Sequence, residues 1–204
     1  MNAVDWRLLS EVFVVLFVIM DPPGTIPVFL ALTEAQTAKQ RARAARQATL
    51  VSLGVILIFA LFGQSILDYL HISLPALQAS GGLLLLLVAL ELLTGKFDED
   101  PKGKEGVNVA LVPLGIPLLA GPGAIVATMV FIHSSSGADE FSAIYLAILA
   151  VHITIFAALR FSNVIHRILG TSGTILVTRI AGILLAAIAV QLIADAVTTF
   201  VAQV

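Results

Sequence analysis

The stretch Met20-Asp21-Pro22-Pro23-Gly24 stands in the middle of an apolar run that extends from Leu8 to Leu32. At roughly 25 residues, this run is long enough to cross a bilayer as a tilted helix. The two prolines remove backbone donors and clash with the preceding turn, so an unbroken helix cannot pass through them. An aspartate at this depth costs a further ~2.5–3.5 kcal/mol on insertion scales. The stretch therefore predicts a broken membrane helix whose acid is surrounded by protein or water.

A second apolar run, from Val109 to Ile132, is interrupted in the same way at Gly121-Pro122-Gly123. At an offset of 99 residues, Pro23 aligns with Pro122 and Gly24 aligns with Gly123. Two corresponding spans that are both interrupted by glycine and proline are the best sequence indication of a transporter binding site.

The final spans of the two halves also correspond. Gly82-Leu83-Leu84-Leu85 aligns with Gly182-Ile183-Leu184-Leu185 at an offset of 100, and Glu91 then aligns with Gln191. Two repeats of three spans must enter the membrane from opposite faces, because three is an odd number. The sequence therefore predicts an inverted repeat, related by a pseudo-two-fold axis in the membrane plane.

The composition is that of an integral membrane protein. Of 204 residues, 59% are hydrophobic and 12% are charged, whereas soluble domains average about 45–50% and about 25%. The absence of cysteine excludes disulfides and thiolate sites. The sequence has no Walker-type glycine loop, His/Cys metal cluster or basic aromatic patch, which predicts no cofactor, no metal and no nucleic-acid partner. The expected partners are the lipid bilayer and a small-molecule substrate, and a homo-oligomer stays open.

Six apolar segments predict an all-α protein with six transmembrane helices. The segments are 8–32, about 48–67, about 74–93, 109–132, about 141–161 and about 175–201. We expect one compact membrane domain in which residues 1–94 form the first three-helix repeat, 95–108 a polar cytoplasmic linker and 109–204 the second repeat. Thr33 and Gln36 resemble a capping box for a short helix before the second span, and residues 134–139 and 170–173 predict turns.

The basic residues set the orientation. Those between the first and second, third and fourth, and fifth and sixth spans are Lys39, Arg41, Arg43, Arg46, Lys96, Lys102, Lys104, Arg160, Arg167 and Arg179. The other side has only Arg7. By the positive-inside rule the first side is cytoplasmic, so we expect a multi-pass protein of the plasma membrane with both termini outside.

Four stretches, in order, cover nearly the whole chain and carry a family resemblance. They are Met20-Asp21-Pro22-Pro23-Gly24-Thr25-Ile26-Pro27, then residues 71–82, then residues 112–117 with 119–123, and residues 179–182 with Val190-Gln191. Together they resemble the MarC family, also described as the neutral amino acid transporter family, of small six-span bacterial and archaeal proteins. The resemblance implies a plasma-membrane carrier of small neutral amino acids such as glycine and alanine, with coupling to an H⁺ or Na⁺ gradient.

We expect the substrate to bind between the half-helices at the two breaks. A helix N-terminus carries about half a positive charge and unpaired N–H groups, which suit a carboxylate. The carbonyls that end the preceding half-helices suit an ammonium. The predicted substrate-binding residues are Met20, Asp21, Pro23, Gly24, Thr25, Ala120, Gly121, Gly123 and Ala124. Gly24 and Gly123 have no side chain to keep a ligand from the backbone. Kinks that pack against neighbouring helices are the alternative interpretation.

Asp21 has two interpretations that stay open. Followed by Pro22 as the first helical residue, it fits an N-cap. A carboxylate at membrane depth also fits a proton or cation site, or a partner of the substrate amine. The other candidates for coupling or for lining the path are Ser80, Glu91 and Gln191. Glu91 either lines the path or extends to water, whereas Gln191 is expected to face the bundle interior. His152 is either a proton relay or a histidine bonded within the bundle.

The pattern predicts a secondary transporter that works by alternating access around a midplane site. It does not predict an enzyme, because Asp21 and Asp195 are expected at different depths, whereas aspartyl catalysis needs two carboxylates that share a proton. The alternatives are an exporter of amino acids or other small solutes including drugs, and a channel. A channel would also explain irregular backbone at membrane depth, but the sequence lacks a carbonyl-rich filter run.

Overall fold

The structure, a computed structural model, describes residues 4–33, 36–94 and 119–202, and within them the chain is helical. The helices are α1 (Trp6–Met20), α2 (Pro22–Leu32), α3 (Ala38–Leu70), α4 (Leu74–Thr94), α5 (Pro122–His133), α6 (Ala138–Arg160) and α7 (Ser162–Ala202). Five stretches in them are long and apolar enough to cross a membrane, and Gly123–His133 is a shorter apolar helix. The all-helical fold of a multi-pass membrane protein is therefore confirmed.

Most predicted spans agree closely with the helices. The helix α4 extends one residue beyond the predicted 74–93, and the apolar part of α7, Ile175–Ala202, matches the predicted 175–201. The predicted turn at 170–173 corresponds to Gly170, whose φ of 64° interrupts α7. The first half of the predicted fourth span and the predicted linker 95–108 lie outside the described residues.

The helix α3 differs from its prediction. It is one continuous helix of 33 residues, so the short helix expected to lead into the second span forms the first part of α3. Its capping box is formed by Thr37 and Gln40, because the Thr37 hydroxyl accepts from the Gln40 N–H and Gln40 Oε1 accepts from the Thr37 N–H. Thr33 instead donates its hydroxyl to the Phe29 carbonyl at the end of α2. The alanine-rich polar turns have high helix propensity, so they continue directly into the apolar span.

Two apolar clusters hold the helices together. The larger cluster joins α1, α3, α5 and α6 around fully buried residues such as Leu16, Ile56, Ile148 and Ile155. The smaller one joins α4 to α7 through Leu85, Ala89, Leu185 and Ala189. The larger cluster buries the end of α1 and the start of α5. The smaller cluster holds α4 and α7 together.

The α4–α7 contact is reciprocal. A Cβ placed on Gly82 would lie 2.7 Å from the Ala189 carbonyl oxygen, and a Cβ on Gly182 would lie 3.4 Å from the Ala89 carbonyl oxygen. Glycine therefore lets the two backbones approach closely at both places, as small residues do in membrane proteins. The earlier residue of α4, Gly82, meets the later residue of α7, Ala189, and Ala89 meets Gly182. The two helices are therefore antiparallel.

Large apolar side chains cover the outer faces of the bundle. The most exposed include Leu61, Phe62, Leu83, Leu87, Ile153 and Ile183, each more than half exposed. Apolar surface of this extent is unusual for a protein in water and normal for one that faces lipid.

Two hydrogen bonds indicate which helix ends lie together. The Asp5 N–H, just before α1, donates to the Asp139 carbonyl at the start of α6 over 3.4 Å. The Arg41 guanidinium, in the first turn of α3, donates to Asn163 Oδ1 just after α6, over 3.2 Å. The starts of α1 and α3 therefore lie at opposite ends of α6.

Candidate functional site

Asp21 is the single residue between α1 and α2. Its backbone is left-handed, with φ 39° and ψ 67°, a conformation that aspartate tolerates better than most residues with a side chain. Its N–H donates to the Phe17 carbonyl over 3.0 Å and ends α1. Its carboxylate Oδ1 accepts from the Gly24 N–H over 3.1 Å at the start of α2. The predicted N-cap is confirmed by this bond, and Asp21 also caps the preceding helix.

The first turn of α2 has no donor left for a ligand. Pro22 and Pro23 have no N–H, and the Gly24 N–H is bonded to the Asp21 carboxylate. The Thr25 N–H donates to the Asp21 carbonyl over 3.0 Å. The expectation that α2 would offer free N–H groups was therefore wrong, because the chain supplies its own acceptor at this position.

The second carboxylate oxygen of Asp21 is buried without a partner. Asp21 is 6% exposed, and no hydrogen bond to Oδ2 is found among the described residues. This oxygen lies against the Cα of Gly24, where any Cβ would overlap it. The Thr178 hydroxyl oxygen of α7 lies 3.1 Å from the position that a Cβ on Gly24 would take. A polar atom buried in this way is costly unless a proton or a ligand compensates it.

The start of α5, at the second of the predicted breaks, has no capping side chain. Gly121 has extended backbone, with φ −65° and ψ 161°, and no side chain caps α5. The N–H groups of Ala124 and Ile125 donate to the Gly121 carbonyl over 3.0 and 3.2 Å. Gly123 is buried, and a Cβ on it would lie 2.6 Å from Leu85 Cγ of α4. The missing side chain of Gly123 therefore makes room for Leu85.

Both breaks lie in the protein interior. Met20, which ends α1, belongs to the larger apolar cluster, and Leu119, Ala120 and Ala124 around the second break belong to the same cluster. Each of these side chains is at most 2% exposed. The end of α1 and the start of α5 therefore meet one buried region of the bundle.

The remaining predicted substrate-binding residues differ in their surroundings. Thr25 is buried, and its hydroxyl donates to the Pro22 carbonyl over 2.8 Å. Pro23, Gly24 and Gly121 are half-buried. The Thr25 hydroxyl is thus already engaged within α2, and the backbone around the breaks carries more of the candidate site than side chains do.

Three of the predicted path-lining residues lie on exposed faces. Ser80, Glu91 and Gln191 are exposed. Ser80 donates its hydroxyl to the Leu77 carbonyl, and Gln191 Nε2 donates to Asp195 Oδ1 over 2.7 Å. The expectation that Gln191 faces the bundle interior was wrong. Gln191 follows Ala189 by two residues, which corresponds to a rotation of about 200° around the helix axis. Gln191 therefore points away from the side on which Ala189 packs.

His152 is a buried histidine bonded within the bundle. Its Nδ1 lies 2.7 Å from the Ile148 carbonyl and its Nε2 lies 3.1 Å from the Ser52 hydroxyl of α3. Because a carbonyl only accepts, Nδ1 carries a proton. Both ring nitrogens are then engaged, which is the structural one of the two roles that the sequence left open.

Sequence reasoning missed three residues that matter to these contacts: Ser52, Leu85 and Thr178. Ser52 and His152 are 100 residues apart, the same offset that relates Gly82 to Gly182, so the repeat contained a signal for this pair. Leu85 belonged to the stretch aligned at that offset, but its contact with Gly123 depends on how α4 packs on α5, and no comparable signal pointed to Thr178, whose role depends on how α7 packs on α2. Within the described part of the chain, no three His, Cys, Asp or Glu side chains come together as a metal site would require.

Comparison with known proteins gives a consistent result. The family described as "MarC family integral membrane protein" matches residues 6–201. A UPF0056 membrane protein of Methanocaldococcus jannaschii is 39% identical over 200 residues, which cover 95% of this chain and 97% of that protein. The UPF0056 membrane protein YvbG of Bacillus subtilis is 34% identical over 196 residues, with 92% and 93% covered. The UPF0056 membrane protein YhcE of Escherichia coli is 32% identical over 197 residues, with 93% and 91% covered. No solved structure gives a significant match.

Proposed function

The chain belongs to the MarC family of integral membrane proteins, and from this premise we propose that it is a secondary transporter of small neutral amino acids. One observation carries the proposal: both helix breaks meet the same buried cluster. Non-helical backbone at membrane depth is tolerated where protein buries it or where it lines a cavity. In transporters, discontinuous helices of this kind hold the substrate near the midplane.

The two breaks suit opposite ends of a zwitterion. We assign the substrate carboxylate to the start of α5, because no side chain caps that helix and a helix N-terminus attracts anions. The start of α2 is unsuited to it, since the Asp21 carboxylate already accepts there. We assign the substrate ammonium to the end of α1, where Pro22 and Pro23 have no N–H to donate to the carbonyls four residues earlier. Glycine or alanine fits this assignment, because both charged groups sit on one small carbon.

Leu85 controls access to this arrangement. Its side chain lies against Gly123, so a substrate reaches the start of α5 only after α4 and α5 separate. Leu85 also belongs to the small cluster that joins α4 to α7. We therefore assign the opening step to a movement of the α4–α7 pair relative to α5.

The reciprocal α4–α7 contact supports two inverted repeats. Gly82 meets Ala189 and Gly182 meets Ala89. Each residue of one pair has its counterpart in the other pair at an offset of 100 residues. Two antiparallel helices that exchange contacts in this way fit a two-fold axis perpendicular to both, which is an axis in the membrane plane. Alternating access is then a rocking of one repeat against the other.

The orientation follows from the charges and the helix ends. The basic residues Arg160 and Arg167 lie at the end of α6 and just after it, the end to which Arg41 is bonded. The Asp5 N–H bonds to the start of α6, at the other end. We therefore place the Arg41 end in the cytoplasm, and the protein in the plasma membrane with both termini outside.

Reconstitution into proteoliposomes tests the proposal. We expect uptake of labelled glycine or alanine, and faster labelled uptake when the vesicles are preloaded with the unlabelled amino acid. Such counterflow requires a carrier, so its absence alongside fast passive flux would identify a channel instead. Proton and sodium gradients imposed separately identify the coupling ion. Folded protein that exchanges neither amino acid under any gradient would refute the proposed cargo.

A further inference from the structure

The two oxygens of the Asp21 carboxylate have different surroundings. Oδ1 accepts from the Gly24 N–H and caps α2. Oδ2 is buried, has no partner among the described residues, and lies beside the Cα of Gly24, where a Cβ would also come within 3.1 Å of the Thr178 hydroxyl oxygen of α7. A cap needs only the first oxygen, so the second is not explained by the structural role of the residue.

No charged side chain of the described residues compensates this carboxyl. Ionisable side chains on the helices packed against the break are exposed at Arg7, Glu11, His133, Asp139, Arg160, Arg167, Arg179 and Asp195. Glu140 accepts from the Ser136 and Gly137 N–H groups, and His152 is bonded to Ser52 and Ile148. His166 lies in the part of α7 before Gly170, and Tyr145 packs against the larger cluster. None of these groups is hydrogen-bonded to Asp21.

An ionised carboxylate in this environment is strongly disfavoured. An uncompensated charge buried in a protein at membrane depth costs several kcal/mol or more, whereas one proton on Oδ2 removes the charge. A hard metal cation would instead require a shell of oxygen ligands. Within the described residues, no group of three or more His, Cys, Asp or Glu side chains could hold a metal ion.

We propose that Asp21 is the proton-carrying group of the transport cycle and that Thr178 of α7 covers it in the conformation described. The proposal rests on the proposed transport function and deepens it by naming H⁺ as the coupling ion and Oδ2 as its site. When α2 and α7 separate, water reaches Oδ2, the O–H bond breaks, the electron pair stays on the carboxylate and the proton passes to water. Asp21 regains its proton from water on the opposite side of the membrane, so that one proton crosses the membrane in each cycle.

The first experiment needs no substrate. Infrared spectra of the protein in lipid at neutral pH are compared for wild type, Asp21→Asn and the control Asp195→Asn, which alters an exposed carboxyl of α7. We expect a C=O stretching band of a protonated carboxyl that is absent from Asp21→Asn and retained in Asp195→Asn. A wild-type spectrum without a band that depends on Asp21 overturns the proposal.

The second experiment measures coupling in proteoliposomes. A gradient of one pH unit supports about tenfold accumulation at one proton per substrate, and we expect it in wild type and in Asp195→Asn. We expect Asp21→Asn to lose gradient-driven accumulation, because asparagine can cap α2 but carries no exchangeable acid proton. Proton-driven accumulation by Asp21→Asn, or accumulation in wild type driven by sodium alone, overturns the proposal.

The third experiment addresses Thr178. Thr178→Val removes the hydroxyl and keeps a similar shape, with Thr198→Val, whose hydroxyl bonds to the Asp195 carbonyl, as the matched control. We expect the pH midpoint of the Asp21 band to move in Thr178→Val and to stay in the control. An unchanged midpoint removes Thr178 from the site. If wild type exchanges neither amino acid, the transport function fails, while the infrared band still decides whether Asp21 holds a proton.

Discussion

At the first break the chain completes its own helix end, and at the second it does not. The carboxylate of Asp21 bonds to the Gly24 N–H, and the two prolines remove the other donors of that turn. At the second break, Gly121 has no side chain with which to cap α5. The glycines also differ, because Gly24 accommodates the Asp21 carboxyl and Gly123 accommodates Leu85.

This difference separates two tasks that the aligned sequences present as equivalent. The first break carries an acid that caps the following helix, and the second has a helix start without a side-chain cap, which lies behind the side chain of Leu85. A carrier that couples an ion to a substrate needs one site for each. The comparison therefore predicts that substitutions at the second break affect the substrate first, and that substitutions at the first break affect stability and coupling first.

The largest effect is expected for Gly123→Leu. The added side chain would occupy the space of Leu85 and cover the start of α5, so we expect counterflow of glycine and alanine to be lost. Gly54→Leu is the matched control, since a Cβ on Gly54 meets nothing within 4 Å. Size-exclusion profiles in detergent check that both variants fold. Where Gly123→Leu fails to fold, Gly123→Ala with and without Leu85→Ala tests the same contact. Wild-type exchange by Gly123→Leu would contradict a substrate site at the second break.

Gly24→Ala is expected to lower the free energy of unfolding by about 1–3 kcal/mol, the usual cost of overpacking. Its Cβ would displace the Asp21 carboxyl from its place beside α2. Gly54→Ala serves as the control, and we expect it to be neutral or stabilising by up to about 1 kcal/mol through helix propensity. Denaturant unfolding in bicelles measures both. Equal stability of the two variants would show that the carboxyl is not held where the structure has it.

Asp21→Ala is expected to cost about 0.5–2 kcal/mol through the lost cap, with a further contribution from the left-handed backbone that alanine adopts poorly. Asp21→Asn keeps an acceptor oxygen and tolerates the same backbone, so we expect a smaller change. The same unfolding measurement compares the two. A loss that is as large for asparagine as for alanine would mean that the charge, and not the cap, stabilises this break.

Gly121→Ser is expected to change stability by only a few tenths of a kcal/mol, because glycine and serine are both good N-cap residues. Its hydroxyl gives the second break the cap that the first already has. We therefore expect a higher KM in counterflow, since the hydroxyl competes with the substrate carboxylate for the start of α5. An unchanged KM would assign the carboxylate to another part of the protein.

The sequence was sufficient where the local properties of a few neighbouring residues decide the structure. Asp21 followed by Pro22 offered a cap as one of two interpretations and the cap is observed, and the boundaries of α4 agreed within one residue. Apolar length and charge placement predicted a multi-pass helical protein, because lipid requires every backbone polar group to be satisfied internally.

The sequence was insufficient where one helix meets another. Gln191 was expected inside the bundle and is exposed, because a span that is apolar on all sides gives no periodic signal of the face it buries. The roles of Leu85 and Thr178 depend on helix packing that no local pattern encodes. The prediction of free donors at α2 was wrong because the Asp21 carboxyl accepts from the Gly24 N–H.

Asp21 is also the only residue that connects α1 to α2. A joint of one residue concentrates any change of angle between these helices in two torsions, and those torsions start in a narrow left-handed basin. Leaving that basin means crossing a steric barrier in one step. We therefore expect the two half-helices to reorient as a discrete flip between two geometries, with no continuum of bent intermediates, and the same flip would carry the carboxyl from one side of the joint to the other.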